Sequence, residues 1–345
     1  MNYGEFAALN APKNWAKRLA PYRLADDRRA IFEVIVTCAA FLGLWVVSWW
    51  VYQFSVFASL AVSVPAAAFM LRLFTLQHDC GHLSMFSSKH ANDWVGRALG
   101  ILTLTPYDYW RHAHAIHHLG SGNLERRGIG DIETLTLEEY KALSLFGRFK
   151  YRLYRNPLVL FGVGPIYVFL IAQRFPLDTF KNGRASWISV FGTNAGILVM
   201  ALVLMYVIGI PAFLVVHLPV VIFAAAAGVW LFYVQHQFDD THWSKPPHWT
   251  HEEAALHGSS FYDLPKPLMW LTCNIGIHHL HHLSSRIPFY RLPQVLKDFP
   301  ELKGVGRITL WQSFKCVNLS LWDEASAKLI SFREAHRIMQ AMPAG

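Results

Sequence analysis

Charged residues are scarce in this chain. Only 16% of its 345 residues are Asp, Glu, Lys or Arg, and 53% are hydrophobic, whereas a soluble globular protein carries about 25% charge. That argues against an ordinary water-soluble fold and for a membrane protein with polar parts attached. Cysteine is scarce too. Cys38, Cys80, Cys273 and Cys316 are scattered, with no CxxC pair. This spacing argues against a disulfide framework and a built-in iron–sulfur cluster, and fits a reducing compartment. The first 24 residues are polar and basic, with no apolar run close behind them, so no cleavable signal peptide is expected. Aromatic rings and imidazoles are plentiful instead: 24 Phe, 13 Trp, 13 Tyr and 18 His.

A spanning helix needs about 20 apolar residues. Four stretches meet that length, at residues 34–53, 54–76, 188–209 and 210–234. They form two hairpins with almost no connecting loop. Arg72, near the end of the second stretch, is expected to snorkel. Residues 157–173 are shorter and broken by Pro157, Gly162, Gly164 and Pro165, so they read as an interfacial or re-entrant segment. The fold class expected is an all-α integral membrane domain over residues 1–345, with four spans and a helical cap. The polar regions 1–33, 77–187 and 235–345 hold nearly all the Lys and Arg, and the hairpin tips hold none. The positive-inside rule places these regions and both termini on the cytoplasmic side, at a bacterial inner membrane. The net charge of +8 fits attraction to anionic headgroups, and equally a docking face for an acidic electron carrier. Nothing points to nucleic acid, and the oligomeric state is open.

The histidines gather in three motifs. QHDCGH holds His78 and His82, WRHAHAIHH holds His114, His117 and His118, and IHHLHH holds His278, His281 and His282. On a helix, residues at i, i+3 and i+4 share a face. Each motif is therefore expected to aim its ring nitrogens at one point. Neutral imidazole is the commonest protein metal ligand, and eight exceed one metal's shell, so the count argues for two metals. His236 follows the fourth stretch as His78 follows the second, and is a ninth candidate. His257 is a rival for that ninth place. His112 and His279 fall off the shared faces, and His279 is expected to support a ligand or face solvent. His217, deep in the fourth stretch, reads as a locally satisfied core histidine. His90, His242, His248, His251 and His336 have no partner at helical spacing. Metal-bound histidines usually donate their second N–H to a carboxylate. Asp79, Asp131, Asp239, Asp240 and Asp263 are near enough in sequence to serve.

These motifs, HDCGH then HAIHH then HHLHH, resemble the membrane fatty acid desaturase family, in its acyl-lipid branch. The stretches WRHAHAIHHLGSGNLERRGIGDIETLTLEEY and NIGIHHLHHLSSRIPFYRL carry the likeness, with the pair Gln235–His236, over about residues 30 to 295. The resemblance implies that His78, His82, His114, His117, His118, His278, His281 and His282, with His236, hold two non-haem irons. It implies molecular oxygen as co-substrate and an acyl chain of a membrane lipid as substrate. It also implies a separate electron donor such as ferredoxin, rubredoxin or a cytochrome b5-like protein. The stretch GNLERRGIGD resembles enzymes of the delta-12 or omega-6 type, which add a second double bond near carbon 12. A membrane di-iron hydroxylase of alkanes, carotenoids or sphingolipids is the nearest rival. A metal transporter is remote, because its histidines belong near the bilayer centre, and a bis-histidine haem protein would need only single histidines on facing spans.

Overall fold

The computed structural model describes residues 14–176 and 183–341; the parts of the expected polar regions at 1–13, 177–182 and 342–345 lie outside the described residues. The chain is mostly helical. Among the described residues, four helices are long and apolar enough to cross a membrane: Asp27–Tyr52, Val56–Gly81, Gly183–Ile208 and Ile210–His236. Each runs past the apolar stretch that marks it. The first begins at Asp27 rather than near residue 34, because Asp26 caps its N-terminus by accepting from the Arg29 N–H. At 26 residues the second helix is about 39 Å long, some 9 Å more than the hydrocarbon core. Hydropathy marks where lipid contact ends, whereas capping marks where the helix ends. The overhangs carry His78 and His236.

Serines close the first hairpin. Ser55 caps the second helix by accepting from Ala58 N–H, and the Ser48 and Ser59 hydroxyls meet at 2.9 Å. Gly209 joins the third and fourth helices at φ 83°, a conformation that a residue with a Cβ enters at a cost. The second helix packs between the first and the fourth, whereas the third shows most of its surface outward.

Arg72 does not snorkel. It is fully buried, with an Nη 2.5 Å from Glu33 Oε2 and its Nε donating to Thr37 at 3.1 Å. The Trp270 ring covers the guanidinium at 4.1 Å. Glu33 on the first helix supplies the counter-charge, and Trp270, from the cap, closes the site.

Residues 157–173 are helical in pieces, Val159–Val163 and Gly164–Leu170. Together with Leu145–Tyr154 they form a helix pair bent by 57°. The cap contains two small sheets. Strands β1 (Phe261–Asp263) and β2 (Arg307–Thr309) pair in parallel, and β3 (Leu321–Asp323) pairs antiparallel with β4 (Lys328–Ile330). All four cysteines are free.

Candidate metal centre

Four helices bring the imidazoles together, the fourth long helix supplying His236. His78 lies in the last turn of the second long helix and His82 is its C-cap. His114, His117 and His118 lie on Tyr107–Gly120, whose first N–H groups at Asp108 and Tyr109 both donate to Ser189 Oγ of the third long helix at 3.2 Å. Tyr107 anchors that helix. It is fully buried, donates to the Cys80 carbonyl at 2.8 Å, and lies so close to Gly96 that a Cβ there would sit 2.3 Å from its ring. The short helix His278–Leu283 is held against the end of the fourth long helix. Gln235 Nε2 donates to the Ile275 carbonyl at 3.0 Å, and His279 N–H donates to the Ser260 carbonyl at 3.2 Å.

The nine imidazoles form two groups. One contains His78, His82, His114, His118 and His281; the other contains His117, His236, His278 and His282. The ligating atoms within each group lie within 4.8 Å of one another. The groups are adjacent, since the His118 and His282 rings stack across them at 4.1 Å. One expectation is corrected here. A motif does not aim at a single point, because both HxxHH helices straddle the two groups. Residues four apart, His114 with His118 and His278 with His282, share a group. Residues three apart, His114 with His117 and His278 with His281, part company. On a helix the first spacing turns a side chain by about 40° and the second by about 60° the other way. Two sites side by side separate the two directions.

Whether these residues suit a cation is tested by their own contacts. His114 Nε2 lies 3.0 Å from His78 Nε2, 3.0 Å from His82 Nε2 and 3.1 Å from His118 Nε2. A ring nitrogen has one hydrogen or one lone pair, so it cannot satisfy three such neighbours by hydrogen bonding. A shared cation satisfies all of them. In the second group His278 Nε2 lies 3.0 Å from His236 Nε2 and 3.1 Å from His282 Nε2. His117 Nε2 is buried without a hydrogen-bond partner beside the His236 and His282 rings. Nitrogens 3.0–3.1 Å apart are close enough to serve as neighbouring ligands of one ion.

Burial, and then the neighbouring imidazoles, hold His82, His114, His118, His278, His281 and His282 well below the ordinary histidine range. They stay neutral at physiological pH, which is the ligating form.

Two of the five candidate carboxylates reach the site. Asp131 Oδ1 accepts from His117 Nδ1. Asp79 Oδ1 lies 3.5 Å from His78 Nδ1, while its other oxygen accepts from the Phe289 N–H at 2.8 Å. The other three do not. Asp263 is tied to Arg307 at 2.6 Å, and Asp239 and Asp240 are exposed beyond the end of the fourth long helix. His257 belongs to neither group. His279 does not face solvent. It is fully buried, and its Nε2 donates to the Leu302 carbonyl at 3.1 Å. His217 accepts from Trp45 Nε1 at 3.3 Å inside the bundle. His112 and the five unpaired histidines named above are exposed. Trp110 was missed by the sequence reading. It stacks on His114 at 4.6 Å and 15° and meets Phe74 at 5.4 Å. Its place four residues before His114 was the available signal.

Comparison with known proteins decides the family. The model of the fatty acid desaturase family matches residues 55–311. This chain belongs to the fatty acid desaturase family. It is 41% identical over 333 residues to a fatty acid desaturase of Bacillus subtilis, covering 96% of this chain and 94% of that one. It is also similar to an sn-1 acyl-lipid omega-3 desaturase (ferredoxin) of Synechocystis, 26% identical over 70% of this chain and 68% of that one. An sn-1 oleoyl-lipid 12-desaturase of the same organism is 28% identical over 64% of this chain and 62% of that one. The desaturase is thus a membrane oxidoreductase of lipid metabolism, with histidine clusters that suit metal.

Proposed function

We propose that this desaturase introduces a cis double bond into the acyl chain of a membrane lipid, using dioxygen and two irons held by the nine imidazoles. The observation that carries this reading is the pair of adjacent histidine groups at the overhanging ends of the second and fourth long helices. Imidazole suits iron. Bound there, the metal pair supplies the oxidising power needed to take hydrogen from an unactivated methylene, which no acid–base pair can do.

The chain's own residues supply position and protonation state. Burial keeps His82, His114, His118, His278, His281 and His282 neutral, and Asp131 fixes the ring of His117 by accepting its Nδ1 proton. Trp110, stacked on His114, shields one side of the first group. The reaction balances as follows. Dioxygen goes to two waters with four electrons; two come from the acyl chain and two from a separate one-electron carrier. A ferredoxin, rubredoxin or cytochrome b5-like protein would serve, and the relative named with ferredoxin supports the first. We read both termini and the cap as lying on the cytoplasmic side of a bacterial inner membrane; the even number of long helices and the clustering of Lys and Arg support this. We read residues 1–345 as one domain. A transporter would hold its histidines inside the spans; here they lie at the span ends.

The test is expression with a compatible reduced carrier in a host of known lipid content, followed by fatty-acid analysis. A new unsaturated species with no oxygen incorporated supports the reading, and the analysis also reports the bond position. A hydroxylated product, or an unchanged profile from iron-loaded protein, overturns it.

A further inference from the structure

The helix His278–Leu283 faces two ways. His278, His281 and His282 point to the metal groups, whereas Leu280 and Leu283 belong to a separate apolar cluster. That cluster joins Trp15 and Leu19 to Leu292, Val295, Leu296 and Leu302, and it includes no residue of the four long helices. It is therefore a part of the cap built without the membrane bundle, as is the cluster around Tyr140 and Leu321. Its outer surface is formed by Trp15–Leu19, Leu292–Asp298 and Pro300–Gly304.

That surface is basic. Lys17, Arg286, Lys297 and Lys303 are exposed, and among the described residues none of them has an ion-pair partner. The acidic groups beside them are already engaged: Asp298 accepts from Tyr22 at 2.6 Å, and Glu301 lies 3.7 Å from Arg18. Among the described residues these elements also expose no large apolar anchor for lipid. Between Trp270 and Trp311 no large hydrophobic side chain is exposed. Elsewhere the chain does show such anchors: Phe146 and Phe149 are 64% and 60% exposed, and Trp311 is 79% exposed. A face that rests on a bilayer presents aromatic and aliphatic groups among its cations. This one presents unpaired cations without such groups.

A short covalent and hydrogen-bonded route leads inward from it. The Leu302 carbonyl, in the surface turn, accepts from His279 Nε2 at 3.1 Å, and His279 is bonded through the backbone to His278 of the second metal group.

We propose that this basic face is the landing surface for an acidic one-electron carrier protein, with Leu302 and His279 as its nearest connection to the metal centre. This rests on the desaturase reading, which requires two electrons per double bond from outside the chain. Opposite charge raises the encounter rate and makes it salt-dependent without demanding a large interface, as small electron-transfer contacts require.

The test uses full-length iron-loaded protein in nanodiscs and a reduced acidic plant-type ferredoxin as probe. The triple variant Lys17→Glu/Lys297→Glu/Lys303→Glu is expected to raise the KM for ferredoxin at least tenfold and to abolish its salt dependence. Turnover driven by a small uncharged reductant should be unchanged, which shows that the protein is folded and loaded. Lys150→Glu/Lys315→Glu on the apolar-rich faces is the control and should leave the ferredoxin KM as it was. An unchanged KM in the triple variant, or an equal rise in the control, overturns the docking face. A loss that follows the anionic lipid content of the nanodisc instead assigns the face to the membrane and also overturns it. Absence of desaturation by the wild-type protein with either reductant fails the desaturase reading itself, which keeps the two failures apart.

Discussion

Asp131 Oδ1 accepts from His117 Nδ1, so an imidazole whose buried Nε2 has no protein hydrogen-bond partner is held from behind by a carboxylate. That arrangement fixes the tautomer and turns the free nitrogen toward His236 and His282. Such support is worth roughly 10–100-fold in metal affinity or activity. Asp131→Asn should therefore lower iron content and turnover by roughly that factor while the helical fold, read by circular dichroism, stays intact. Full iron and full turnover would refute the role given to Asp131.

The split of each HxxHH helix between two groups predicts unequal effects along one helix. His117→Ala should empty the second group and leave the first loaded, halving the iron content and abolishing turnover. His281→Ala should do the same to the first group. His112→Ala, at an exposed position, should change neither. Metal analysis beside the activity assay checks all three, and equal loss in all would contradict the two-group arrangement.

The buried imidazoles set a pH dependence for the metal-free protein. Burial lowers the pKa of His82, His114, His118, His278, His281 and His282 below the ordinary value of 6.5. The unfolded chain takes up protons below that pH and the folded chain resists them, so stability is complete above about 6.5 and falls as pH drops. Thermal unfolding of chelator-treated protein in detergent should show a melting temperature that declines from pH 7 to pH 5. Bound metal competes with those protons and should shift the decline to lower pH. A flat profile would mean that these rings are not buried neutral.

Glu33 and Arg72 form an ion pair with side chains 1% and 0% exposed. Removing one member leaves the other charge buried, which costs about 3–5 kcal/mol. Glu33→Ala should destabilise the desaturase by that amount, and Glu33→Leu with Arg72→Met should recover most of it. Thermal unfolding in detergent measures both. A harmless Glu33→Ala would show that Arg72 reaches water after all.

The nine imidazoles and the four long helices were legible in the sequence because their signals are local. Ligand spacing follows helix geometry, and hydropathy follows lipid contact over about 20 residues. The helix ends were misplaced by several residues, because polar caps such as Asp26 and Ser55 decide them.

Tertiary structure decided the rest. Whether His114 or His117 faces a given metal depends on where the ends of the second and fourth long helices stand. His281 meets His118 across 163 positions of chain. Of five nearby carboxylates, only Asp79 and Asp131 are turned inward, since Arg307, folded beside it by β1 and β2, takes Asp263 away. Arg72 is sealed in because Glu33 and Trp270 arrive from distant segments. Sequence sets what a side chain can bind and how its helix presents it. Packing between remote segments sets what stands opposite, and that choice divides the histidines between two sites.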